Sequence, residues 1–183
     1  MQEQSVNIKD LMQSLAQGTQ SFLQSEVEVT VTGVDCRYEP VSTLELSYLT
    51  SLISVNSCIN MFFAFSFEKD LIFFILRQMT QDLDYPKDEE AEYLESAATE
   101  MLNIVVGNAA AFFSRGGGRV SFSPPIVIKE AKSIIRTQGT TFYSSVVKTR
   151  HGSLYIHLIG PRQLFDEQLN YLEAGACQSC PSW

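Results

Sequence analysis

Apolar positions along this chain change their period several times, and each change marks an element. From Asn7 to Gln24, Ile8, Leu11, Met12, Leu15, Thr19, Phe22 and Leu23 recur at a spacing near 3.6 and predict an amphipathic helix, weakened locally by Gly18. Val27, Val29 and Val31 then alternate with Glu28, Thr30 and Thr32, the pattern of a half-buried strand. Arg37 to Thr43, with Pro40 inside, reads as a loop. Leu44 to Val55 and Cys58 to Phe67 read as two strands joined by an Asn56-Ser57 turn. In the second strand Ile59, Met61, Phe63, Phe65 and Phe67 share one face; Asn60, Phe62, Ala64 and Ser66 share the other.

A short helix is predicted over Lys69 to Thr80, followed by a connector from Asp82 to Lys87 that contains Pro86. Asp88 to Ser114 is the longest regular segment, about 40 Å if fully helical. Asp88 is its expected cap, Glu89 and Glu90 suit the positive end of the dipole, and Gly116-Gly117-Gly118 stops it. Strands are predicted over Val120 to Ser123, Ile126 to Arg136, Thr140 to Arg150 and Ser153 to Ile159, with a break at Pro124-Pro125 and a turn at His151-Gly152. Pro161 to Glu173 reads as a short terminal helix, and Ala176 to Trp183 has no pattern. Helix, strands, helix, long helix and strands in that order describe an α+β domain.

On a helical wheel with Ser96 at zero, Glu100 falls at about 40°, Asn103 at about 340° and Gly107 at about 20°. Leu94, Ala98, Met101, Leu102, Val105, Ala109 and Phe112 gather on the far side, between about 140° and 240°. The apolar face is therefore expected to pack on the sheet, while Ser96, Glu100 and Asn103 point away. Gly107, Ala110 and Ala111 keep the downstream surface low, so another protein could lie flat on it.

Glu100 and Asn103, at i and i+3, are close enough to act on one site. An amide has no useful pKa, so the two are not an acid–base pair. The amide both donates and accepts hydrogen bonds and can hold a water in a fixed orientation. The carboxylate can form an ion pair or a charge-assisted hydrogen bond. Together they suit a hydrolysis catalysed by positioning, with the reactive bond on a partner. Against this stands the plain alternative: an exposed Glu and Asn three residues apart are common on helices, and most are simply solvated.

Composition narrows the setting. The 183 residues suit one domain with a short appendage, and 45% hydrophobic with 19% charged residues describe a folded chain. Thirteen Lys plus Arg against 21 Asp plus Glu give a net charge of −8. That balance argues against nucleic-acid binding and against an anionic membrane surface. The N-terminus, MQEQSVNIKD, lacks the basic start and apolar core of a secretory signal. The most apolar stretch, Ile59 to Leu76, is interrupted by Ser66, Glu68, Lys69 and Asp70 and is not expected to cross a membrane. Cys36, Cys58, Cys177 and Cys180 form no disulfide framework, so a reducing cytoplasm is the simplest compartment.

The segment from Glu95 to Ala109, ESAATEMLNIVVGNA, resembles the signature helix of the CheC/CheX/FliY chemotaxis phosphatases. That signature is Asp or Ser, three residues, Glu, two residues, Asn, and a proline a little over twenty residues later. Ser96, Glu100 and Asn103 match it in type and spacing, and Pro124 or Pro125 matches the proline within a residue or two. Gly107-Asn108-Ala109 is similar to the family's continuation. The order of elements agrees over roughly Asn7 to Gly160, and a single motif is closest to CheX, since CheC-type members tend to carry two.

The resemblance implies a CheC/CheX-like fold, an antiparallel-rich sheet with long helices packed on it, over residues 1–160. Residues 161–183 would be an added helix and tail. It also implies hydrolysis of the aspartyl phosphate of a CheY-like response regulator. Asn103 would align the attacking water, Glu100 would dock on the regulator's lysine, and Ser96 and Gly107 would belong to the contact. Pro124 or Pro125 would shape the neighbouring loop. No cofactor of its own is implied, Mg²⁺ being expected on the regulator, and a homodimer is implied as well. A non-catalytic receiver-binding or signalling adaptor of the same fold is the alternative, and a purely structural homodimer domain is a third reading.

The remaining motifs have plainer readings. Cys177-x-x-Cys180 has no second pair or histidine to complete a zinc site. His151 and His157 have no nucleophile placed beside them by the sequence. Gly116-Gly117-Gly118-Arg119 lacks the Gly-Lys-Ser/Thr ending of a phosphate loop. The phenylalanine-rich strand and the Leu71, Phe74, Ile75 face are expected core.

Overall fold

A computed structural model describes residues 8–56, 60–81, 83, 85–109 and 120–161. The elements in chain order are α1 (Ile8–Ser25), β1 (Val31–Cys36), β2 (Thr43–Glu45), β3 (Leu49–Asn56), β4 (Asn60–Phe67), α2 (Lys69–Met79), a 3₁₀ turn (Lys87–Glu89) and α3 (Glu90–Asn108). After these come β5 (Ser121–Phe122), β6 (Ile126–Lys129), β7 (Ser133–Ile135), β8 (Thr140–Thr149) and β9 (Gly152–Pro161). The fold is α+β, as the order of elements predicts, with an antiparallel main sheet, as the family resemblance implies. The turn at Ser57, the helix end beyond Ala109 with Ala110, Ala111 and Phe112, the Gly116–Gly118 stop, the terminal helix after Pro161, and Cys177 and Cys180 lie outside the described residues.

The main sheet runs β1-β8-β9-β4-β3, and β5 and β6 both pair with β3 at the far edge. Its register aligns three apolar rows on one face. Tyr143, Leu158, Phe63 and Ile53 form one row; Ser145, Ile156, Phe65 and Ser51 the next; Val147, Leu154, Phe67 and Leu49 the third. All twelve side chains are buried. The strands alternate as predicted, so this face needs a cover, and the apolar faces of α1, α2 and α3 join it in one core.

Gly18 is explained by that packing. A Cβ there would sit 3.4 Å from Val105 Cγ1, so the glycine marks where α1 passes close to α3. On the sheet side, Ser51 Oγ donates to the carbonyl of Ala98 at 3.1 Å. Two small residues, one on β3 and one on α3, bring that helix close to the sheet.

Four expectations are corrected. The first alternating segment is not a strand from Val27: the strand is Val31–Cys36. Glu28 adopts φ 53°, in the left-handed region, which breaks the extended chain while leaving Val27 and Val29 buried. The segment Leu44 to Val55 divides into β2 and β3, and Ile126 to Arg136 divides into β6 and β7 at Glu130, φ 65°. β2 and β7 leave the main sheet and pair with each other. The last hairpin turns at Arg150-His151, because Thr149 already pairs with Gly152.

The β2–β7 ribbon lies over the sheet's second face. Val41 bridges Phe142, Leu44 is buried, and the Ser47 N–H donates to Ser66 Oγ at 2.6 Å. Thr50 Oγ1 donates to the same oxygen at 2.8 Å. This cover explains why Ala64 and Ser66, predicted on the other face of β4, are fully buried.

Glu68 links α2 to β9. It stands at the N-cap of α2 without capping it by its side chain. Its carboxylate instead accepts from the Ser153 N–H at 3.0 Å and the Tyr155 hydroxyl at 3.3 Å. Gly152 faces it at φ 122°, and a Cβ there would lie 2.8 Å from Glu68 Oε2. Gly152→Ala should therefore lose on the order of 1–3 kcal/mol of stability, through backbone strain and displacement of Glu68. Urea unfolding reads this as a lower midpoint at unchanged slope.

His157, on the covered second face, is 1% exposed. Its Nδ1 lies 3.0 Å from Ser144 Oγ, and Nε2 has no hydrogen-bond partner among the described residues. Burial lowers its pKa to about 4, and the Glu45 main chain opposes this only in part. The unfolded chain takes up this proton near pH 6.5, well before the folded one does. Stability present above pH 6.5 should thus fall by on the order of 3 kcal/mol as pH drops to 4. Melting temperatures across that window should be flatter for His157→Gln than for the wild type.

Candidate functional site

The candidate site is the outer face of α3. This helix is 19 residues long, about 28 Å, and carries no basic residue. Its first turn holds Glu90 and Glu92, which favour the positive end of the helix dipole. Asp88 does not cap it: Asp88 lies in the preceding 3₁₀ turn, and Glu89 at the N-cap makes no side-chain capping bond. Acidic side chains near the dipole do the work that a capping hydrogen bond would otherwise do.

The wheel divides as expected. Leu94, Ala98, Met101, Leu102, Val105 and Ala109 are buried. Ser96, Glu100, Asn103 and Gly107 are exposed along one stripe. The residues that fill the core thereby fix the direction of the polar ones, since a helix anchored along one side cannot rotate. Ser96 Oγ donates to the Glu92 carbonyl at 2.9 Å and keeps its lone pairs outward. Among the described residues, none engages the side chain of Glu100 or Asn103 in a hydrogen bond or ion pair. Both groups are exposed, and no described residue takes up their bonding capacity. No Cβ contact crowds Gly107, so the surface beside the pair is low.

Pro124 and Pro125 stand on a different element. Phe122 pairs with Val55 and Ile126 with Leu52, so three residues, Ser123 to Pro125, oppose two on β3. The prolines therefore form a bulge in the edge strand, where a residue without an N–H is tolerated. Ser123 closes the bulge: its N–H donates to the Ser54 carbonyl and its Oγ accepts from the Ser54 N–H, each at 3.0 Å. Just past the bulge, Lys129 forms an ion pair with Glu95 of α3, and this contact raises the Lys129 pKa. The edge strand is so tied to the helix one turn before Glu100.

Two features of this face escape a reading of its polar residues alone. Tyr93 stacks on Tyr85 of the incoming connector, with ring centroids 4.5 Å apart. Ile104, next to Asn103, is 37% exposed. Both lie on one flank of Glu100, at about 60° and 80° on the wheel. Apolar residues on an otherwise polar face are visible in the sequence, but only the fold tells which are left uncovered.

No described helix is long and apolar enough to cross a membrane. Among the described residues, no group of three His, Cys, Asp or Glu side chains could hold a metal ion.

Comparison with known proteins supplies the family. No curated protein matches the chain. Three solved structures illustrate its fold. CheX from Desulfovibrio desulfuricans superposes with a TM-score of 0.65 at 15% identity, covering 81% of this chain and 97% of that one. A putative chemotaxis protein from Desulfovibrio vulgaris Hildenborough gives 0.67 at 16% identity, covering 84% and 98%. CheX from Borrelia burgdorferi, in a CheX–CheY–BeF3–Mg²⁺ complex, gives 0.63 at 15% identity, covering 83% and 97%. At such identities these likenesses speak to the fold, which is that of CheX. The family model described as chemotaxis phosphatase CheX matches residues 49–147, more than half of the chain and all of α3. This protein belongs to the CheX chemotaxis phosphatase family.

Proposed function

We propose that the protein hydrolyses the aspartyl phosphate of a CheY-type response regulator, using Asn103 to orient water and Glu100 to dock. The observation that carries this reading is the stripe itself: Glu100 and Asn103 sit one turn apart, exposed and unengaged by any other described residue, on a helix held rigidly by its buried side. Family membership and the Borrelia burgdorferi CheX–CheY–BeF3–Mg²⁺ complex support the choice of substrate.

An acyl phosphate is already an activated bond, so positioning is what a partner can add. In-line attack needs a water opposite the aspartyl oxygen. The Asn103 amide accepts a hydrogen bond from that water through its carbonyl oxygen and donates through its NH₂ toward the phosphoryl group. Water attacks phosphorus, the bond from phosphorus to the aspartyl oxygen breaks, and inorganic phosphate leaves with the carboxylate restored. In this reading the Mg²⁺ belongs to the regulator, a choice supported by the presence of Mg²⁺ with CheY in the Borrelia complex.

Glu100 pairs with the regulator's lysine and sets the depth at which Asn103 enters. Ser96 lies about 6 Å from Glu100 along the helix axis and forms the rim. Gly107 leaves room for the regulator's surface, and the Pro124-Pro125 bulge fixes the sheet edge alongside. We assign this work to residues 1–160, with 161–183 an appendage, in a protein that acts in the cytoplasm as a homodimer.

The test is the lifetime of a CheY-type receiver charged with acetyl phosphate. Wild-type protein should shorten it. Asn103→Ala should lose about 100-fold of the acceleration, the scale of a misplaced reactant. Glu100→Gln should act mainly on binding, raising the half-saturating receiver concentration about tenfold. Equal phosphate lifetimes with wild type and Asn103→Ala would sink the catalytic reading. Receiver binding with unchanged lifetime would favour the adaptor instead.

A further inference from the structure

The exposed pair leaves an energetic problem. An ion pair formed in open water contributes little, between about 0 and 1 kcal/mol. Docking through Glu100 alone would be weak and unspecific. Interfaces overcome this by surrounding the contact with neighbours that exclude water, and apolar side chains do so at no desolvation cost. We propose that Ile104 and Tyr93 supply that ring, and that Ile104 is a specificity determinant for the receiver. This rests on the phosphatase reading above, because it takes the same face as the docking surface.

Three observations place the ring. First, Ile104 is the large aliphatic side chain that α3 leaves exposed, at 37%, and it neighbours Asn103 in sequence. It stands about 6 Å beyond Glu100 along the axis and about 40° to one side. Second, Tyr93 stands about 10 Å before Glu100 on the same flank. Its ring is held in place by the stacked Tyr85 and is partly packed on the core, so presenting it to a partner costs little side-chain entropy. The same connector also exposes Leu83. Third, the opposite flank is polar: Glu92, Glu95 and Thr99 lie there, and Glu95 is engaged by Lys129.

The occupant follows from this chemistry. From Asp88 to Glu100 the chain carries six acids, and α3 offers no cation to a partner. A complementary surface presents one basic side chain toward Glu100 with an apolar patch on one side of it only. The receiver therefore sits off-centre on α3, shifted toward the flank that carries Tyr93, Ile104 and the connector, with Glu100 beside the apolar groups and Asn103, about 60° to the other side of Glu100, reaching it from the polar edge of the contact.

The experiment separates binding from chemistry. With receiver charged by acetyl phosphate, Ile104→Ala should raise the half-saturating receiver concentration five- to tenfold and leave the saturated rate within twofold. Ile104→Glu should raise it further, by burying a second carboxylate beside Glu100. Ile104→Leu should restore wild-type behaviour. Thermal melts at the wild-type temperature confirm that each variant folds, as expected at an exposed position. An Ile104→Ala variant with wild-type half-saturation, or with its loss confined to the saturated rate, overturns the proposal. Titration with a receiver carrying beryllofluoride in place of phosphate measures docking without hydrolysis. If wild type and Asn103→Ala hydrolyse alike while Ile104→Ala still weakens this binding, the catalytic reading fails and the docking ring stands. If Ile104→Ala binds as wild type there, the ring fails whatever the hydrolysis result.

Discussion

Everything functional in this molecule depends on the apolar rows that cross β8, β9, β4 and β3. Tyr143, Leu158, Phe63 and Ile53 form one of them, and two more lie alongside. These rows bury twelve side chains on one face, so α1, α2 and α3 cover that face together. The middle row carries Ser51 and Ser145 at its ends, where larger side chains would hold a helix away. Over Ser51 sits Ala98, close enough for a hydrogen bond to its carbonyl. α3 is therefore clamped along its inner side, and its outer side is fixed by subtraction. The stripe of Ser96, Glu100 and Asn103 needs no hydrogen bonds of its own to face outward.

This division explains how a helix can spare the polar residues of its outer face any structural duty. An amide that orients water must keep its donors and acceptors open until a partner arrives. A carboxylate that docks must stay solvated until it meets a cation, because an unpaired charge buried in advance would cost several kcal/mol. Both requirements are met by placing the groups on the exposed face of a rigid element. The stabilising polar contacts are made elsewhere, by Glu68 with Ser153 and Tyr155, and by Ser66 with Ser47 and Thr50.

Much of this could be read from residue spacing. The 3.6 period in α1 and α3 and the twofold period in β4 are strong because each element has one buried face. The wheel of α3 assigned both its buried side and its outward stripe. Two of the errors share an origin. The break before β1 falls at Glu28 and the passage from β6 to β7 falls at Glu130, two glutamates in left-handed conformation. Glycine or asparagine would have advertised such bends; glutamate does not. The apolar pattern also runs on from Leu44 to Leu49 although β2 and β3 belong to different sheets, because both are buried. Periodicity records that a residue is covered and is silent about what covers it.

The same limit applies to the site. Ser96, Glu100 and Asn103 were legible because their types and spacing are chemically unusual together. Tyr93 and Ile104 were not, because an apolar residue on an amphipathic helix is ordinarily core. What distinguishes Ile104 is that no described residue finishes covering it, one turn beyond the carboxylate proposed to dock. The exposed part of an isoleucine contributes nothing to folding that a polar residue would not. Beside a solvated carboxylate it would have a use under the proposed docking, since removing water from around Glu100 would turn a weak surface ion pair into a specific one. Under the proposed reading, the polar pair would supply the chemistry and the apolar flank the dielectric in which that chemistry becomes selective. A single rigid helix carries both because its buried side leaves the outer side free to differ from left to right.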